Sequence, residues 1–155
     1  MENRILNQDE AIEFLRTFEN REISHVWRGA GTAIFLEFGE LAQNNRDNLI
    51  GEFSISIEWS WRIEDRNSIL LGSFSEDQQI SKVIGILKGK KLIKAEFFGR
   101  LKEIHLQLDG DIWLSSFATV EGNPEWAGRN DKKEWLYFRK GRYVVEKTHE
   151  KTSAI

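Results

Sequence analysis

Residues 52–64 read Glu52-Phe53-Ser54-Ile55-Ser56-Ile57-Glu58-Trp59-Ser60-Trp61-Arg62-Ile63-Glu64. Every odd position is large and apolar, and every even position is polar. Side chains alternate across a β-strand, so this pattern predicts a strand with one buried face and one wet face. Thirteen extended residues would span about 43 Å at ~3.3 Å each. Strands usually run to about five or six residues, so a bend or bulge is expected within the stretch.

The same period continues on both sides. His25–Arg28 is a short candidate strand ended by Gly29-Ala30-Gly31. Thr32–Phe38 is a second, with Ile34, Leu36 and Phe38 on one face and Ala33, Phe35 and Glu37 on the other. The polar run 43–48 has turn composition. After a turn at 65–68, Ile69–Phe74 reads as a strand hairpinned to 52–64. Leu92–Phe98, Glu103–Leu108 and Ile112–Val120 then read as a meander, with Asp109-Gly110 as a type I′ turn signal. Pro124 interrupts the pattern, and Trp135–Phe138 and Arg142–Val145 flank a Lys140-Gly141 turn.

Two segments carry the helical period instead. Ala11, Phe14, Leu15 and Phe18 lie on one face of a helix over 8–19, with Asn7 as N-cap and Glu10 completing a capping box. Ile80, Val83, Ile84 and Leu87 form the stripe of a second helix over 76–88, capped by Ser75 with Gln78 and stopped by Gly89. The expectation is an α+β fold: a strand-rich, mostly antiparallel curved sheet or sandwich-like meander with two short helices. The 155 residues read as one domain, with a frayed tail from 147 onward.

Composition narrows the function classes. Eighteen aromatics in the chain argue against disorder, and the absence of Cys removes disulfides, thiolate metal sites and thiol nucleophiles. The longest hydrophobic runs, 33–36 and 135–138, are four residues, and the first twenty residues carry seven charged side chains. No signal peptide or membrane helix is expected, and a cytoplasmic location is the simplest reading. Residues 1–81 carry fifteen acids and seven Arg, whereas 82–102 carry seven basic residues and one acid. The basic tract reads as solvated lysines, and nucleic acid is not the expected partner, because the chain as a whole is acidic.

Two clusters invite a catalytic reading. His105 with Asp109 and Asp111 has groups for acid–base or metal chemistry, but both Asp flank Gly110, where Asp suits turn geometry. Glu58 and Glu64 share a strand face, but six extended residues separate them by about 20 Å, too far to work as a pair. No catalytic residue, metal or cofactor is therefore assigned, and a non-enzymatic protein is expected.

The tryptophans are the remaining candidates. Trp59, Trp61, Trp113 and Trp135 fall in strands, where packing accounts for them, while Trp27 suits either role. Trp126 follows Pro124-Glu125 in an expected loop and is the first choice for an aromatic anchor. The binding candidates are thus Trp126, Trp27, Trp59 and Trp61.

The segments Gly31-Thr32 to Gly39-Glu40-Leu41, Trp61-Arg62-Ile63-Glu64, and Ile112-Trp113-Leu114-Ser115-Ser116-Phe117 with Pro124-Glu125-Trp126 carry a loose resemblance over most of the chain. The chain resembles small bacterial single-domain families of unknown function, some of them similar to immunity-type proteins of toxin loci. That resemblance implies a bacterial source and a non-enzymatic role, and it transfers no functional residue. Two readings follow. The first is a protein-binding module, such as an immunity-type inhibitor, with another protein or a second copy of itself as partner. The alternative is a small-ligand binder whose pocket lies near Trp59, Trp61 and Trp113.

Overall fold

In the computed structural model, the described residues are 3–120 and 124–148. The 52–64 stretch forms two strands rather than one: β6 (Phe53–Ile57) and β7 (Trp61–Glu64). The break at Glu58-Trp59-Ser60 carries the chain from one sheet to another. Glu125 fixes the crossing: its carbonyl accepts from the Glu58 amide at 2.8 Å, and its Oε1 accepts from the Ser60 amide at 2.6 Å. Alternation survives the switch because both strands turn their odd residues inward. Trp59 falls in the break and is 52% exposed.

The first sheet also contains β1 (Asn3–Leu6), β2 (Ile23–Arg28), β3 (Ile34–Phe38), β12 (Trp126–Arg129), β13 (Glu134–Arg139) and β14 (Arg142–Lys147). Its strand order is β1-β14-β13-β12-β6-β3-β2, and each pairing is antiparallel. The second sheet adds β8 (Ile69–Gly72), β9 (Leu92–Phe98), β10 (Glu103–Leu108) and β11 (Ile112–Ser116), in the antiparallel order β8-β7-β11-β10-β9. A small hairpin, β4 (Ala42–Gln43) with β5 (Leu49–Ile50), stands apart from both.

The inner faces of the two sheets share one core. Phe97 of β9 lies 5.3 Å from Trp126 of β12 and 5.0 Å from Tyr143 of β14, centroid to centroid. Along one side the sheets are laced together: the Ile23 amide donates to Lys90, and the Leu92 amide to Arg21. Helix α1 (Gln8–Arg16) buries Ala11, Phe14 and Leu15 in this core, and Phe18 just beyond it meets Phe53 edge-on at 5.1 Å. The Asn7 side chain and Glu10 form the expected capping box. Replacing Asn7 by Ala should cost about 1 kcal/mol and lower the Tm by about 2–4 °C, measurable by calorimetry.

This is the expected α+β architecture, with local corrections. The second helix, α2 (Asp77–Val83), continues as a 3-10 turn over Ile84–Leu87, and its N-cap is Glu76, not Ser75. Ser75 instead accepts a bond from the Gly72 amide and closes the preceding turn. The loop between β10 and β11 places Gly110 and Asp111, rather than Asp109 and Gly110, at positive φ. The Leu108↔Ile112 pairing leaves three residues in that loop. Lys140 and Gly141 both take positive φ between the paired Arg139 and Arg142, as a two-residue I′ turn requires. Strands β1, β4, β5 and β12 add to those that the alternation predicts. Lys147 belongs to β14 rather than to a tail, and His149 lies outside the described residues.

Candidate functional site

The outer face of the seven-stranded sheet is where the simple alternation reading fails. Glu37, Ser54 and Ser56 occupy positions that should face water, yet all three are buried, and Glu37 is 0% exposed. Register explains the grouping. His25, Glu37, Ser54, Arg129 and Trp135 sit directly opposite one another across β2, β3, β6, β12 and β13. Directly opposite residues share a sheet face, so this row forms a floor. The β4–β5 hairpin stands over one end of it.

The cleft between hairpin and sheet encloses about 740 Å³. Trp27 and Phe35 form its end wall, their rings stacked at 3.9 Å and nearly parallel. Trp135 and Lys133 border the far side, and Asn44, Asn48 and Ile50 project from the hairpin. The turn of that hairpin is self-closed: Asn44 Oδ1 accepts from the Arg46 and Asn48 amides, and Asp47 takes a left-handed φ of 60°.

Glu37 holds the cleft together. Its Oε2 accepts from Trp27 Nε1 at 2.8 Å and from Ser54 Oγ at 2.9 Å, and its Oε1 accepts from the Gly51 amide at 3.0 Å. One carboxylate thus orients the end-wall indole, the floor and the base of the hairpin. Burial pushes its pKa up, and the three hydrogen bonds together with the Arg129 charge pull against that rise. Arg129 is itself buried and donates Nη2 to the Gly51 carbonyl at 2.6 Å, with its guanidinium 5.8 Å from the Trp135 ring centre. Gly51 is the residue through which both charges grip the hairpin. A Cβ at Gly51 would lie 2.4 Å from the Phe38 carbonyl oxygen, so the close approach requires glycine.

The sequence candidates are scattered. Trp27 lines the cleft. Trp61 is 1% exposed and donates its indole N–H to the Thr32 carbonyl, which makes it a core residue. Trp126 lies in β12 rather than in a loop. It is 2% exposed, and its Nε1 donates to the Lys102 carbonyl, so packing claims the residue chosen as the first anchor. Trp59 is exposed beside Gly31, away from the cleft. Trp59, Trp61 and Trp113 do not line this cleft, whose aromatic residues are Trp27, Phe35 and Trp135.

His105 does not gather Asp109 and Asp111. Its Nδ1 pairs with Ser115 Oγ at 2.5 Å, while Asp111 pairs with Arg66 across a separate turn. No group of three His, Cys, Asp or Glu positioned for a metal occurs among the described residues. Glu64 pairs with Arg62 at 2.7 Å, and Glu58 lies in the break between sheets. Within the basic tract, Lys94 pairs with Glu96 and Lys90 donates to the Asp109 carbonyl. No helix among the described residues is long and apolar enough to cross a membrane.

No protein-family model, curated protein or solved structure matches the chain.

The cleft residues that sequence reasoning missed are Glu37, Phe35, Trp135, Arg129 and the 42–50 hairpin. A signal was present. Ala33 and Phe35 share the supposedly wet face of their strand with Glu37, and apolar residues on both faces of a strand indicate a second covered surface.

Proposed function

We propose that this chain is a non-enzymatic binding domain that takes a small organic ligand into the cleft on the outer face of the seven-stranded sheet. The observation that carries this reading is the buried Glu37 network, which fixes Trp27, the floor and the hairpin base in one arrangement. A pre-organised concavity of this kind keeps the ordering cost of binding low. Its volume of about 740 Å³ falls within the usual range for ligand pockets. Glu37 spends its acceptor capacity on protein donors, which suits a positioning role rather than general-base work.

The test is a fragment screen read by the indole N–H signals in a 15N-correlation spectrum. Ligands should move Trp27 and Trp135 and leave buried Trp126 unmoved, and Trp135→Ala should weaken the response at Trp27. A library that moves neither Trp27 nor Trp135 would overturn the proposal.

A second reading, a protein partner of the immunity type, draws on a different surface. Phe98 and Phe117 are large exposed apolar residues. Phe98 and Phe117 flank a shallow hollow of about 380 Å³ around His105, on the outer face of the five-stranded sheet. Contiguous exposed apolar surface often marks a protein contact. A purified candidate toxin should bind the wild type and lose affinity for Phe117→Asp. Equal binding to both would remove this surface from consideration.

A further inference from the structure

We infer that the ligand of this cleft is a neutral saccharide, a deduction that rests on the cleft being a small-molecule site. Three features of the lining lead there. The first is charge. Four carboxylates (Glu37, Glu40, Glu52, Asp131) stand against three cations (Arg46, Arg129, Lys133) within one cleft. Opposite charges interleaved at this density leave no strong field of one sign, so neither an anion nor a cation is drawn in by the site as a whole.

The second feature is the mixture of hydrogen-bonding types. Asn45 and Asn48 offer amide donors and acceptors, Glu40, Glu52 and Asp131 only accept, and Arg46 only donates. A ligand that matches all three must both donate and accept at many points. Hydroxyl groups do this, whereas a carboxylate or phosphate ligand only accepts and an ammonium only donates.

The third is the aromatic surface. Trp27 and Phe35 stack into one slab, and Trp135 is half-buried on the opposite side. A sugar ring presents an apolar C–H face bounded by equatorial hydroxyls. It can lie against an aromatic plane while its edge meets planar amides and carboxylates. Indoles suit this task because they give a large rigid apolar area at little entropic cost.

The experiment titrates the full chain with glucose, N-acetylglucosamine and maltotriose, with choline and inorganic phosphate as charged comparators. The readout is the indole N–H signals of Trp27 and Trp135. At least one saccharide should shift both signals saturably. Trp135→Ala should weaken that binding about tenfold. Asn48→Ala, on the partly buried hairpin, should weaken it without loss of folding, and Phe117→Ala beside the other sheet should leave it unchanged. Saturable shifts from choline or phosphate with none from the sugars would overturn the saccharide assignment and leave the ligand cleft standing. Saccharide binding that survives Trp135→Ala and Asn48→Ala would place the sugar elsewhere and overturn it as well. Silence from all five probes, together with a silent fragment screen, would remove the cleft itself.

Discussion

Replacing Trp126 by alanine is expected to destabilise the fold by about 3–5 kcal/mol, the range for emptying a buried aromatic site. The residue sits where the two sheets meet, against Phe97, with its indole N–H committed to the Lys102 carbonyl. Truncation opens a cavity at the centre of the sandwich and leaves that carbonyl without its donor. Equilibrium urea unfolding should show a lower midpoint with an unchanged slope. Trp59→Ala is the informative comparison. That side chain is half exposed in the break between sheets, and its removal should cost less than ~1 kcal/mol. Were Trp126→Ala as stable as the wild type, the placement of Trp126 in the core would be wrong.

The second large effect concerns Glu37. Glu37→Ala should destabilise by about 3 kcal/mol, because Trp27 Nε1, Ser54 Oγ and the Gly51 amide all lose their acceptor in a buried place. The same residue shapes the pH dependence. Its folded pKa is raised, chiefly by burial, so the native state holds the proton to a higher pH than the unfolded chain does. Stability therefore falls as pH rises from the ordinary carboxylate value of 4.5 through the raised folded value. Glu125 is also raised by burial and adds a slope of the same sign. Glu134 acts oppositely and lower on the scale. Its bonds to Asn130 and Arg4 depress its pKa, so its contribution is lost only as pH falls below the ordinary value. Thermal unfolding followed upward from pH 4.5 should show a decline in Tm that Glu37→Gln reduces and that Glu37→Gln with Glu125→Gln reduces further. A Glu37→Gln variant with the wild-type slope would show that Glu37 is not the group titrating.

The 52–64 pattern marked which side chains face the core at five of its six apolar positions. It could not show the break, because alternation records only inside and outside, and the inside is shared by both sheets. Trp59 is the position where the pattern misleads, since the crossing turns it outward. The Lys140-Gly141 turn, the α1 capping box and the stop at Gly89 were legible because they depend on neighbours in sequence. The cleft was not, because its parts come mainly from residues 27–54 and 129–135, joined only by strand register. Trp27 was named as a candidate without its partners. Glu37 gives no local sign of its burial, because nothing near it in sequence reveals that Arg129, far along the chain, joins the same floor. Trp126 was misplaced for a related reason. Pro124 signals a loop, but the β12 strand begins just two residues later.

The order of strands in the larger sheet also constrains how a nascent chain reaches this state. β2, β3 and β6 are made early and can pair at once, but the outer edge of β6 accepts β12, which appears only after the entire five-stranded sheet has been synthesised. Until then β6 presents a row of unsatisfied amides and carbonyls flanked by Phe53, Ile55 and Ile57. That transient edge offers a template for strand exchange between two growing copies.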